Sequence, residues 1–232
     1  MMIGCLIIHG YTGGPYEVEP LTQYLEDHTA WKISAPVLPG HGEELALENV
    51  SHDEWLEAAE AEFKSLRDQC KTVYVIGFSM GGMIAAYLAA KYEVKKLVLL
   101  APARKYISVG KIARKIGEVV VDVFRGTLAD NEFYSNVKQK RGEVPIKSNV
   151  EFTKLVRHTK EFLEDVHSPV LIIHGQEDSI VPVSTVKNLD EEIPSEEKQI
   201  VVFDQENHMI CLGENKDIVN ELVYHFLMGK DE

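Results

Sequence analysis

Six short apolar runs most constrain how this chain can fold. They are Ile3–His9, Lys32–Ala35, Thr72–Gly77, Lys96–Leu100, Val170–His174 and Gln199–Phe203. Most are continuously apolar rather than alternating, as expected of strands covered on both faces. Segments with helical periodicity lie between them. Ser51-His52-Asp53-Glu54 reads as a capping box, and Trp55, Leu56, Ala59, Phe63 and Leu66 then recur at helical spacing. Met80–Tyr92 is rich in Ala, Leu and Met and reads as a second helix. A last helix is expected from about Asp217 to Leu227, with Ile218, Leu222, Val223 and Phe226 on its apolar face. Strands that alternate with helices predict an α/β fold: a mainly parallel six-stranded sheet flanked by helices.

The alternation breaks after the fourth strand. Between about Ala103 and Lys160 there is no convincing strand. Ile107, Ile112, Ile116, Val119, Val120, Val123 and Phe124 suggest one amphipathic helix, and Val150–Leu163 another. We read residues 103–160 as a helical cap inserted into one domain of 232 residues. In this stretch Lys and Arg outnumber the acids about two to one, whereas the rest of the chain is strongly acidic.

Composition excludes several classes. A formal net charge of −13 argues against a nucleic-acid partner, because phosphate binding draws on surplus Lys and Arg. Three cysteines (Cys5, Cys70, Cys211) do not make a disulfide framework, and no CxxC pair suggests zinc. No metal site is expected. No apolar run reaches the length of a membrane span, and Ile3–Ile8 has neither a basic leader nor a cleavage site. These absences set the expectation of a cytoplasmic protein without stable membrane insertion. The sequence leaves the oligomeric state open.

The chemistry is carried by Gly77-Phe78-Ser79-Met80-Gly81, a G-x-S-x-G pentapeptide after an apolar strand and before a helix. The turn must be so tight that positions two before and two after the serine have no room for side chains, which glycine satisfies. It lifts the Ser79 hydroxyl clear of the sheet, at the positive end of the following helix. A serine hydroxyl is a weak nucleophile at neutral pH and needs a base. Of nine histidines, His208 is the best placed, in the loop between the last strand and the last helix. His41, in Pro39-Gly40-His41-Gly42, is its competitor. His28, His52, His158, His167 and His225 read as solvated, and His9 and His174, at strand ends, as locally hydrogen-bonded.

The base in turn needs a carboxylate to hold its tautomer. Asp178, in the loop after Val170–His174, gives the chain order Ser, Asp, His; Glu177 and Asp204 are alternatives, and Asp178 also suits a plain Asx-turn. A tetrahedral intermediate requires N–H donors for its oxyanion. The backbone N–H of Met80 is one candidate. That of Tyr11, in His9-Gly10-Tyr11-Thr12-Gly13-Gly14-Pro15, is the other, while Gly13 and Gly14 also read as simple turn residues.

The runs HGYTGGP, PGHG, GFSMGG, GQEDSIVP and ENH together resemble the bacterial carboxylesterase and monoacylglycerol lipase branch of the α/β-hydrolases. The resemblance spans the chain outside the cap. It implies the α/β-hydrolase fold, a triad of Ser79, Asp178 and His208, oxyanion donors at Tyr11 and Met80, and hydrolysis through an acyl-enzyme without a cofactor. There are departures. The chain opens at the strand before the oxyanion loop, and Asn207 stands where glycine is common. The cap matches least. The expected substrate is a small ester or lipid: short to medium acyl esters or monoacylglycerols. Ile107, Ile112, Val119 and Phe124 are candidate lining of an acyl pocket, or simply the cap's own core. The alternatives are the same triad acting on thioesters or carbon–carbon bonds, and a low-turnover binding protein on the same fold.

Overall fold

The computed structural model describes residues 2–105 and 144–229. All six apolar runs are strands: β1 (Ile3–Ile8), β2 (Lys32–Ser34), β3 (Thr72–Phe78), β4 (Lys96–Leu100), β5 (Val170–Gly175) and β6 (Lys198–Phe203). They pair in the order β2-β1-β3-β4-β5-β6, every pair parallel. Burial on both faces holds for β1, β3, β4 and β5. The edge strand β6 leaves Gln199, Ile200 and Val202 exposed, because it packs on β5 and no helix among the described residues lies closely over its faces.

The helices among the described residues are α1 (Glu19–His28), α2 (His52–Gln69), α3 (Met80–Lys91), α4 (Ile146–Lys160), α5 (Ser184–Glu192) and α6 (Lys216–Met228). α2 opens with the capping box read from the sequence: Ser51 Oγ accepts from Glu54 N and the Glu54 carboxylate accepts from Ser51 N. It buries Trp55, Leu56, Ala59, Phe63 and Leu66. Burying side chains of this size contributes about 1.5–3 kcal/mol each for the larger ones. α3 is apolar all round and buried from Met80 to Ala89. It packs on β3 and β4 with one side and on α4 with another.

Three details differ from the sequence reading. In α6 the buried face runs through Val219, Val223, Phe226 and Leu227, while Ile218 is half exposed. The stripe is rotated by one position, which periodicity alone resolves poorly in a helix this apolar. α4 starts four residues before the expected Val150 and buries Phe152, Leu155 and Val156 against α2 and α3. α1 and α5 had no counterpart in the reading. α1 buries Leu21 and Leu25 among its apolar residues, and α5 Val186 and Leu189; at 10 and 9 residues each spans fewer than three turns, too little chain for the period to stand out. Residues 106–143, which carry most of the expected cap, lie outside the described residues.

Strand order reverses direction at β1. Its two neighbours, β2 and β3, lie on opposite sides of it in the sheet. In a parallel sheet this opens a crevice between the carboxyl ends of β1 and β3. The loops after β1, β3, β5 and β6 all leave from this same rim.

Candidate active site

Ser79 sits between β3 and α3 with φ 53° and ψ −113°. A non-glycine residue in this region stores strain of about 1–3 kcal/mol and persists only where its surroundings enforce it. They do so here. Ser79 N donates to Leu100 O at 2.8 Å, and Ser79 O accepts from Ala103 N at 3.0 Å and Gly82 N at 3.1 Å. A Cβ on Gly77 would fall on the backbone of Gly81, and a Cβ on Gly81 would fall on the carbonyl oxygen of Ile8. Both glycines of the pentapeptide are therefore demanded by close backbone approach, as the tight turn predicted.

The side chains of Ser79, His208 and Asp178, from three separate loops, meet at the rim of the sheet. His208 Nε2 lies 2.9 Å from Ser79 Oγ, and His208 Nδ1 lies 2.6 Å from Asp178 Oδ2. All three residues are buried. With Nδ1–H donated to the carboxylate, Nε2 is left to accept the serine proton. Asp178 has its other oxygen committed too: Oδ1 accepts from Ile180 N and Val181 N, each at 2.8 Å. The Asx-turn and the histidine partner are thus both present, one on each oxygen. Burial pushes the Asp178 carboxyl up, but the His208 charge and hydrogen bond, the Val181 N–H and His174 outweigh it, and the net shift is downward. Glu177 and Asp204 are exposed.

His41 does not share this arrangement. Its Nδ1 donates to Pro39 O at 3.0 Å, and its ring packs among His9, Trp55 and Tyr11. Burial, with help from His9, holds its pKa down at about 3. His9 is locally bonded as expected, donating from Nδ1 to Gly10 O and accepting at Nε2 from Leu38 N. So is His174, whose Nε2–H donates to Val181 O at 3.0 Å. His28, His167 and His225 are exposed. His158, expected to be solvated, is partly buried against Tyr87 and Phe162. His52, also expected to be solvated, is partly buried too. Its Nδ1 lies 2.7 Å from Glu151 Oε2 and links α2 to α4, a contact between segments 99 residues apart that local sequence does not signal.

The loop after β1 is braced by a residue the sequence reading did not single out. The buried Glu17 accepts from Gly10 N at 2.9 Å. A Cβ on Gly13 would overlap the Glu17 carboxylate, so Gly13 is required by this approach, and the positive φ of the loop falls on Thr12 at 62°. Tyr11 is fully buried beside it. Met80 is the first residue of α3, so its N–H has no acceptor within the helix. A second unanticipated acid, Glu206, is buried before the histidine and accepts from Asn215 N and Nδ2 and from Asn207 N. Asn207, the departure from the expected glycine, accepts from Met209 N at 2.8 Å through its side chain. It closes the turn that carries His208.

Cys5, Cys70 and Cys211 are unpaired and buried, and burial raises the thiol pKa of Cys5 and Cys211. Among the described residues no cluster of three His, Cys, Asp or Glu side chains is placed to hold a metal ion. No helix among them is long and apolar enough to cross a membrane. Of the candidate pocket residues, Ile107, Ile112, Val119 and Phe124 lie outside the described residues.

A family model for Hydrolase_4, serine aminopeptidase S33, matches residues 4–216. The chain belongs to this family. The Hydrolase_4 chain is 26% identical over 227 residues to a thermostable monoacylglycerol lipase of Bacillus sp. (strain H-257), covering 97% of this chain and 90% of the relative. It is 24% identical over 241 residues to a carboxylesterase of Bacillus subtilis (strain 168), covering 97% and 92%. Its fold matches that of a metagenome-derived lipolytic enzyme from work on LipS and LipT, with a TM-score of 0.78 at 20% identity, over 97% of this chain and 93% of the other. The fold is that of the α/β-hydrolases.

Proposed function

We propose that this Hydrolase_4 member is a serine esterase that cleaves short to medium acyl esters or monoacylglycerols through an acyl-enzyme. The single observation that carries this reading is the hydrogen-bonded chain Ser79–His208–Asp178, at 2.9 Å and 2.6 Å. Ser79 attacks the ester carbonyl as His208 takes its proton, and the carbonyl oxygen, now negative, is held by the N–H groups of Tyr11 and Met80. His208 then protonates the leaving alcohol and afterwards activates the water that frees the acyl group. Asp178 holds the ring in the tautomer this requires and stabilises it when doubly protonated. No step draws on a cofactor.

Residues 103–160 are assigned to acyl selection on sequence grounds, with Ile107, Ile112, Val119 and Phe124 as the apolar stripe that would meet the acyl chain. The monoacylglycerol lipase and carboxylesterase among the relatives favour an oxygen ester over the thioester and carbon–carbon alternatives. We assign the protein no nucleic-acid partner, in keeping with its charge of −13.

The test is a panel run on wild type and Ser79→Ala. It comprises nitrophenyl esters of graded acyl length, monoacylglycerols, an acyl thioester and an aminoacyl anilide. Ester turnover that disappears in the variant is expected. Serine-dependent turnover confined to the anilide would replace the reading with a peptidase, the activity in the family's name. A wild type that turns over none of them, and shows no acyl burst, would leave a binding protein.

A further inference from the structure

The ring of Tyr11 is more firmly held than its backbone role alone requires. It stacks on Phe152 of α4, with ring centroids 4.7 Å apart and 16° between planes. Trp55 of α2 meets it edge-on at 5.9 Å. Its hydroxyl lies 2.5 Å from Ser148 Oγ and 3.2 Å from Asn149 Oδ1. Because the amide oxygen of Asn149 only accepts, Tyr11 donates to it and accepts from the Ser148 hydroxyl. Both Tyr11 and Ser148 are fully buried. Packing alone does not call for this arrangement. A phenylalanine facing an alanine would fill nearly the same volume without burying two hydroxyls, and such polar pairs add direction and register more than net stability.

The two ends of the contact are informative. Tyr11 carries the N–H assigned to the oxyanion, and the residue before it is already fixed by Gly10 N donating to Glu17. Ser148 and Asn149 lie in the first turn of α4, the helix that leads from the insertion back toward β5. α4 is itself tied to the N-terminus of α2 through Glu151 and His52. The Tyr11 side chain thus joins the loop after β1 to a helix 137 residues further along.

We propose that the Tyr11 side chain, clasped by Ser148 and Asn149, is a positioning residue that aims its own backbone N–H at the oxyanion and makes that aim depend on the seating of α4. This rests on the esterase reading of Ser79. An oxyanion donor acts only if it lies close to where the charge develops, and a displacement of about 1 Å costs on the order of a hundredfold in rate. The ring stack prevents lateral drift, and the hydroxyl clasp sets how far the ring enters beneath α4. A shift of α4 is therefore transmitted to the oxyanion site through one rigid side chain.

The experiment compares Tyr11→Phe, Ser148→Ala and the double variant with wild type. It measures kcat and KM on a nitrophenyl ester, affinity for an arylboronic acid, and the rate at which a fluorophosphonate labels Ser79. The boronate and phosphonate adducts are tetrahedral and use the oxyanion site, whereas ground-state binding does not. Tyr11→Phe is expected to lower kcat and the labelling rate about tenfold and weaken boronate binding by a similar factor, with KM within about twofold. The double variant should be no worse than the more severe single one, since both remove the same bond. Thermal unfolding of each variant separates this from loss of folded protein. Unchanged kcat and boronate affinity in Tyr11→Phe, multiplicative losses in the double variant, or a loss matched by the unfolded fraction would each overturn the inference. A wild type that fluorophosphonate does not label at Ser79 would instead overturn the esterase reading on which it rests.

Discussion

His174 Nε2 lies 3.5 Å from Oδ2 of Asp178, the oxygen that also faces His208. The pair has the separation of a salt bridge but not its charge. Burial keeps the His174 pKa low against the opposing pull of Asp178 and the Val181 carbonyl, so the ring is neutral at pH 7 and its N–H goes to Val181 O. The Asp178 turn is thereby held twice, by its own Oδ1 on the N–H groups of Ile180 and Val181 and by His174 on the Val181 carbonyl. His174→Leu should leave that carbonyl without this donor and lower the unfolding free energy by about 1–3 kcal/mol. Urea unfolding measures it, and an unchanged midpoint would show that the bond is not holding the turn.

Asp178→Asn preserves shape but replaces an acceptor with an amide that can present N–H to His208 Nδ1, stabilising the wrong tautomer. In serine hydrolases with this arrangement such a change costs about 10⁴ in kcat, and loss of the base itself more. The same order is expected here on a nitrophenyl ester, with His208→Ala more severe than Asp178→Asn. Comparable activity of wild type and His208→Ala would remove the assigned base.

Acid should destabilise the fold through two imidazoles outside the site. Burial lowers the pKa of His9 from 6.5 to about 4 and that of His41 from 6.5 to about 3. In the unfolded chain both bind protons below about pH 6.5, while the folded protein resists until about 4 and about 3. The unfolded state therefore binds more protons, and stability present above pH 6.5 is lost as the pH falls toward 4. The slope approaches about 1.4 kcal/mol per pH unit for each ring. His41→Asn should remove one ring's share of the slope between pH 6.5 and pH 4. Urea unfolding of both proteins across that window checks it, because the carboxylates titrate alike in each. Parallel curves would rule out the contribution of His41.

Gly175 connects the two halves of the Asp178–His208 pair. A Cβ there would collide with the carbonyl oxygen of Glu206, and the neighbouring contacts Gln176 N to Phe203 O at 2.8 Å and Glu177 N to Glu206 O at 3.0 Å run between the same loops. Gly175→Ala should push the His208 loop away from Asp178 and destabilise by about 1–3 kcal/mol. Activity should fall further than the folded fraction does. Full specific activity in the folded fraction would mean that the loops give way without moving the imidazole.

Several parts of this protein were legible in the linear chain because their signals are local. The inner strands announce themselves by unbroken apolar runs, α2 by its capping box and stripe, and the turn at Ser79 by glycines that nothing larger can replace. Motif and loop position, and then the resemblance of five short runs, pointed to Ser79, Asp178 and His208, which the fold brings within hydrogen-bonding distance of one another. Other features depend on contacts that only the folded chain makes, and no local pattern encodes them. Glu17 and Glu206 look like ordinary surface acids until the fold buries them beneath backbone amides. His52 reads as solvated until α4 lays Glu151 beside it, and the grip of Ser148 and Asn149 on Tyr11 exists only once α4 is seated. The sequence by itself determined which chemical groups are available and the order of the elements that carry them. Only the tertiary structure decided which groups are desolvated and which lie within hydrogen-bonding reach, because both depend on atoms that only the fold brings together, across 129 residues for Ser79 and His208 and 137 for Tyr11 and Ser148.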